Sequence, residues 1–166
     1  MKEKEFDIYF RKLYLPLGMF ALRIVEDADL AEELVANTFA NVWKKIYDGH
    51  EIENFKVYLY RAVRNECLSY LRNKKVTVSL DNVQEVDEET IDTSERDAKI
   101  WKAIGELPPK CREIFLLSKR DGLSNEQIAK EMGISIKTVK NQITKAFSRL
   151  REALSSGHKP FFLPFL

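Results

Sequence analysis

Between Ser124 and Leu150 the apolar positions fall into two short helical stripes separated by a glycine. Ile128, Ala129 and Met132 recur at helical spacing, Gly133 follows, and Val139, Ile143, Ala146 and Leu150 then stand at i, i+4, i+7 and i+11. The polar residues between them read as punctuation. Ser124 stands three residues before Gln127, the spacing of a capping box. Gly133 suits the positive φ at a helix end, and Ser135 can cap the helix that follows. The outer face of that second helix carries Lys137, Lys140, Asn141, Thr144, Lys145 and Ser148. Two capped helices, a tight turn and a one-sided basic face make a helix-turn-helix whose second helix fits a DNA major groove.

The earlier part of the chain follows the same helical period. Phe6, Tyr9, Phe10 and Leu13 mark a first amphipathic helix, which Pro16 is predicted to break before a second helix runs to about Val25. Glu26, Asp27 and Asp29 favour a new start, and Leu30, Leu34, Val35, Phe39, Val42, Trp43 and Ile46 form its stripe. Tyr47 to Ile52 reads as a loop punctuated by Gly49. Asn54 can cap the next helix, with Leu59, Val63, Cys67 and Tyr70/Leu71 facing inward until about Asn73.

The pattern then weakens. Val76 to Leu80 suits a short extended piece, and Asp81 to Asp92 is acidic with little periodicity, so this stretch reads as a linker. Ser94 with Asp97 can cap a helix carrying Ile100, Trp101 and Ile104. Pro108-Pro109 ends it and opens another with Ile114, Phe115 and Leu117, and Asp121-Gly122 turns into the helix pair. The expected fold is all-α, with two small helical domains joined by an acidic linker and a helix-turn-helix in the C-terminal domain. The boundaries are 1–75, a linker over 76–93, 94–155, and an apolar tail over 156–166 whose Phe161, Phe162, Leu163, Phe165 and Leu166 are interleaved with prolines.

Charge sharpens this division. The net charge of +1 conceals an acidic strip, because residues 76–100 hold 2 Lys and Arg against 8 Asp and Glu, whereas residues 101–166 hold 12 against 6. Cys67 and Cys111 are isolated and give neither a disulfide framework nor a CxxC ligand pair. His50 and His158 are too isolated to suggest a metal. The opening MKEKEFD has no apolar signal core, and no segment approaches a membrane span, so a cytoplasmic protein is expected. No Gly-rich phosphate loop or nucleophile elbow appears, which argues against an enzyme.

The helix after Asn54 adds a second polar face. Arg61, Arg64, Asn65, Ser69 and Arg72 form one stripe opposite the apolar one, with Tyr58 and Tyr60 near its start. Guanidiniums suit phosphates, an amide can address a base edge, and aromatic rings accept unstacked bases.

These stretches together resemble the sigma-70 family of bacterial RNA polymerase sigma factors, in its small extracytoplasmic-function form. Asp29 to Trp43 is similar to the family's polymerase-binding helix, Asn54 to Arg72 to the helix that reads the minus-ten promoter element, and Leu107 to Leu150 to the domain that reads the minus-thirty-five element. The resemblance implies a non-enzymatic initiation factor with no cofactor, metal or small-molecule substrate, whose partners are core RNA polymerase, promoter DNA and an anti-sigma factor. It implies polymerase contacts at Glu33, Leu34 and Asn37. Minus-ten contacts are implied at Gly49, His50, Tyr58, Arg61, Arg64, Asn65, Ser69 and Arg72. Minus-thirty-five contacts are implied at Lys137, Thr138, Lys140, Asn141, Gln142, Thr144 and Lys145. The chain has Ala36-Asn37 where the family commonly has Gln-Glu, Tyr58 where tryptophan is common, and Gln142 where a basic residue is common. The alternative is an ordinary helix-turn-helix repressor or activator that works without joining polymerase.

Overall fold

The computed structural model describes residues 1–74 and 85–155, which form seven helices and no strand. Two compact units result, one from Met1 to Ala98 and one from Lys99 onward. The extended piece expected over Val76 to Leu80 and the apolar tail lie outside the described residues.

In the first unit α1 (Glu3–Val25), α2 (Ala28–Tyr47) and α3 (Phe55–Asn73) pack on one another. Leu17, Val35, Leu59, Tyr60, Val63 and Cys67 are fully buried at their centre. Each aliphatic side chain of this kind stabilises the fold by roughly 1.5–3 kcal/mol. Aromatic edges close one end, with Phe6 4.7 Å from Trp43 and Tyr9 4.7 Å from Phe55 between ring centroids. The caps follow from sequence. The Asp27 carboxylate accepts from the Leu30 amide at 2.9 Å, and Asn54, left-handed at φ 44°, accepts from the Val57 amide.

The break expected at Pro16 does not occur, since α1 runs through it as one helix. A proline there removes one backbone hydrogen bond, yet its ring is buried in line with Leu13, Leu17 and Phe20. That continuous stripe on α2 and α3 outweighs the local penalty.

The linker is also shorter than expected. Helix α4 (Glu88–Gly105) starts six residues before Ser94, and its first half packs with the first unit. The start is set by Asp87, whose carboxylate accepts from the Thr90 amide at 2.8 Å and from the Thr90 hydroxyl at 2.6 Å. Those bonds hold the Asp87 carboxyl below its ordinary pKa. Ser94 is no cap; it is buried within the helix and donates to the Thr90 carbonyl. Ile91 belongs to the first unit's core, and Val86 packs against it.

In the second unit α5 (Pro109–Lys119), α6 (Asn125–Met132) and α7 (Ile136–Leu154) pack on one another. One cluster joins Ala103, Ile104, Leu107, Cys111, Phe115, Ala146 and Leu150. A second joins Ile114, Ile128, Ala129 and Val139. Trp101, grouped in sequence with Ile100 and Ile104, is instead 41% exposed. Both cysteines are buried, and burial pushes the Cys67 thiol up to about 12, so it stays protonated and behaves as a small apolar group. Among the described residues no helix is long and apolar enough to cross a membrane.

Tyr60 is the exception to a satisfied core. Its side chain is fully buried, 5.3 Å from Phe20 between ring centroids, and among the described residues its hydroxyl has no partner in good hydrogen-bond geometry. Ser94 lies close by, and its hydroxyl, although it donates to the Thr90 carbonyl, keeps lone pairs that can accept from the phenol. Burial first, and the Glu95 charge second, raise the phenol's pKa well above its ordinary value. An orphaned buried hydroxyl costs roughly 1–3 kcal/mol. Tyr60→Phe is therefore expected to leave stability unchanged or raise it by about 1 kcal/mol in denaturant unfolding. A loss of more than about 1 kcal/mol would show that the hydroxyl has a partner after all.

Candidate nucleic-acid interface

Helix α3 buries Leu59, Val63, Cys67 and Leu71 and so fixes what faces outward. Arg61, Asn65 and Arg72 are exposed, while Arg64 and Ser69 are half-buried beside them. The loop before α3 is well defined. The amides of Asp48, Gly49 and His50 donate to Lys44, Ile46 and Lys45 carbonyls, which closes the end of α2. Gly49 takes φ 91°, a conformation that favours glycine, and His50 is exposed next to it. Tyr58 is not a free ring at the helix start. The Lys45 ammonium donates to its hydroxyl at 3.2 Å and lies 6.0 Å from its ring centroid. This contact ties the end of α2 to α3 and adds a cation that sequence reading missed. Tyr47, also missed, is 83% exposed beside the loop. Only its position, an aromatic residue opening a turn, hinted at this.

Tyr60, grouped with Tyr58 in sequence, is taken out of the exposed face by burial. On α2, Glu33 and Asn37 are exposed. Leu34 is not: at 7% exposure it belongs to the core, so the contact expected of it is withdrawn. Leu34 falls in the same helical row as Val35 and Phe39, and the core claims that row.

The second polar face rests on the helix pair. The Ser124 hydroxyl accepts from the Gln127 amide at 3.2 Å, and Gln127 accepts from the Ser124 amide at 2.8 Å, completing the capping box. Gly133 ends α6 at φ 66°. Ser135 then caps α7 by accepting from the Thr138 amide at 3.1 Å. Val139, Ala146 and Leu150 are buried, and Ile143 is half-buried on the same side. Lys137, Lys140, Asn141, Thr144 and Lys145 are exposed on the other. Two expected readers are partly engaged. The Thr138 hydroxyl lies 2.8 Å from that of Ser135, and the Thr144 hydroxyl donates to the Lys140 carbonyl. Gln142 is half-buried, and its carbonyl accepts from the Cys111 thiol.

Two family models match separate stretches of the chain. Residues 10–77 match the family described as Sigma-70 region 2, and residues 97–150 match Sigma-70, region 4. The RNA polymerase sigma-E factor of Streptomyces coelicolor is 30% identical over 157 residues, covering 90% of this chain and 86% of that protein. The RNA polymerase sigma factor SigZ of Bacillus subtilis is 25% identical over 146 residues, covering 86% and 83%. Among solved structures, the sigma factor RpoE in complex with the anti-sigma factor NepR from Bartonella quintana is 25% identical, covering 93% of this chain and 99% of that one, with a TM-score of 0.39.

An all-helical chain with a sigma region 2, a sigma region 4 and a relative of this identity along nearly its whole length belongs to the sigma-70 family of RNA polymerase sigma factors, in its extracytoplasmic-function form. It is a transcription-initiation factor and not an ordinary repressor.

The turn that aims α7 is testable by itself. A Cβ added at Gly133 would meet nothing within 4 Å, so Gly133→Ala pays only for its positive φ. A loss of about 1 kcal/mol is expected in thermal unfolding. A much larger loss would mean that the turn is constrained by packing.

Proposed function

We propose that the two units divide promoter recognition between them. The first holds the melted minus-ten strand, with Arg61, Arg64 and Arg72 on phosphates, Asn65 and Ser69 on base edges, and Gly49 and His50 in the loop that receives an unstacked base. Tyr47 and Lys45 join this surface. The second enters the minus-thirty-five major groove with Lys140, Asn141 and Lys145, while Lys137, Thr138, Gln142 and Thr144 contact neighbouring phosphates or groove edges. Glu33 and Asn37 dock on the clamp of core RNA polymerase.

The observation that supports this reading best is a polar, cationic edge on one helix of each unit, opposite a stripe committed to the core. From Ile136 to Arg151, α7 contains no acidic residue, so no carboxylate repels DNA along its outer edge. A lysine or arginine on a duplex gains counterion release without sequence preference, whereas an amide on a base edge discriminates. Melting then needs no covalent step. Capturing unstacked bases on α3 and its loop lowers the free energy of the open duplex and shifts the equilibrium toward it. The protein works in the cytoplasm, takes no small-molecule substrate, catalyses no reaction itself, and is held in reserve by an anti-sigma factor.

Lys140→Ala or Lys145→Ala is expected to weaken binding to duplex promoter DNA and to lower the salt slope by about one unit each. An unchanged affinity and slope would remove α7 from the interface. Asn65→Ala is expected to reduce open-complex yield on a natural promoter, read by permanganate footprinting of holoenzyme, more than it reduces closed-complex binding. Wild-type opening would take Asn65 out of the minus-ten surface.

A further inference from the structure

We infer that Arg23 and Lys56 form a second phosphate-binding edge on the first unit, which the chain's own acidic segment, Glu85 to Ala98, occupies until DNA displaces it. The inference rests on the reading of α3 as a DNA-facing helix. Lys56 stands one turn before the buried Tyr60 and two turns before Arg64 on α3, so it lies on the side of that helix covered by the acidic segment, away from Arg61, Asn65 and Arg72. Arg23 closes the last turn of α1, three residues beyond Phe20, whose ring meets Tyr60. Neither residue belongs to the sites that sequence reading assigned.

The acidic segment covers both. Thr90, Ile91, Ser94 and Ala98 are its buried positions. Beside them Glu95 pairs with Lys56, and Asp97 pairs with Arg23. A carboxylate on an ammonium and another on a guanidinium occupy the groups that phosphodiesters would take.

Two features make this cover displaceable. Both pairs are partly open to solvent, with Arg23 39% and Lys56 38% exposed at the side chain, so salt and competing anions reach them. The apolar burial of the segment is limited to Ile91, Ala98 and the half-buried Val86. A polyanion offering two phosphates must outcompete two carboxylates held at high local concentration, so displacement is favoured at high polyanion concentration, and Tyr60 then regains access to water.

The test uses the full chain and a fluorescein-labelled single strand of twenty thymidines, read by anisotropy at low salt. Glu95→Gln with Asp97→Asn is expected to tighten binding about 5-fold, the scale of two freed phosphate contacts. Glu88→Gln with Glu89→Gln removes the same charge from exposed positions of α4 and is expected to change affinity less than about 2-fold. Adding Arg23→Gln and Lys56→Gln to the first variant is expected to abolish the gain. In the unaltered protein, the oligonucleotide is expected to speed amide exchange across residues 88–98. Equal tightening in both carboxylate variants, no tightening, a gain that survives loss of Arg23 and Lys56, or exchange unaffected by saturating oligonucleotide would each overturn the inference. The probe contains no promoter and the assay no polymerase, so failure of promoter-directed initiation would be visible separately.

Discussion

Helix α3 can offer a polar edge only because its opposite edge is spoken for. Leu59, Val63 and Cys67 are wholly inside, wedged against α1 and α2, and a rotation of α3 would lift this stripe toward water. Losing even two of those side chains from the core would cost several kcal/mol, against a total stability of about 5–15 kcal/mol for a domain. The positions of Arg61, Asn65 and Arg72 are therefore set by the buried stripe on the opposite side of the helix. In the second unit Val139, Ala146 and Leu150 hold α7 in the same way. The capping box at Ser124 and the left-handed Gly133 set where α6 begins and ends.

This arrangement suits an initiation factor that reads DNA while part of it is being opened. A rigid face on α7 fits a duplex groove, which has one shape. A melted strand has many shapes, and in the proposed division α3 would meet it with guanidiniums that tolerate variation and with a loop carrying exposed His50 and Tyr47. The acidic segment beside α3 adds competition to recognition, because any anion that engages Lys56 or Arg23 must first replace Glu95 or Asp97.

Much of this was legible in the sequence, for identifiable reasons. Caps and periodic stripes are local, so the starts at Asn54, Ser124 and Ser135 and the turn at Gly133 could be read from spacing alone. The all-helical class and the outward faces of α3 and α7 followed from the same period. What escaped depended on distant partners. Pro16 obeys a local rule that tertiary burial overrides. Asp87 caps α4 in place of the better-placed-looking Ser94, because Ile91 has a core to join and Ser94 is buried behind it. Leu34 lies beside exposed Glu33 and Asn37 in sequence but turns inward on the helix. The pairings of Lys45 with Tyr58 and of Lys56 with Glu95 join separate elements, and no spacing announces them.

The most direct test of the account is transcription in vitro with this protein, purified core RNA polymerase from its source bacterium, and fragments of that genome. Discrete start sites that depend on the protein, preceded by two shared upstream elements, are the predicted result. Absence of initiation, together with sequence-specific binding of duplex DNA by the protein alone, would contradict it.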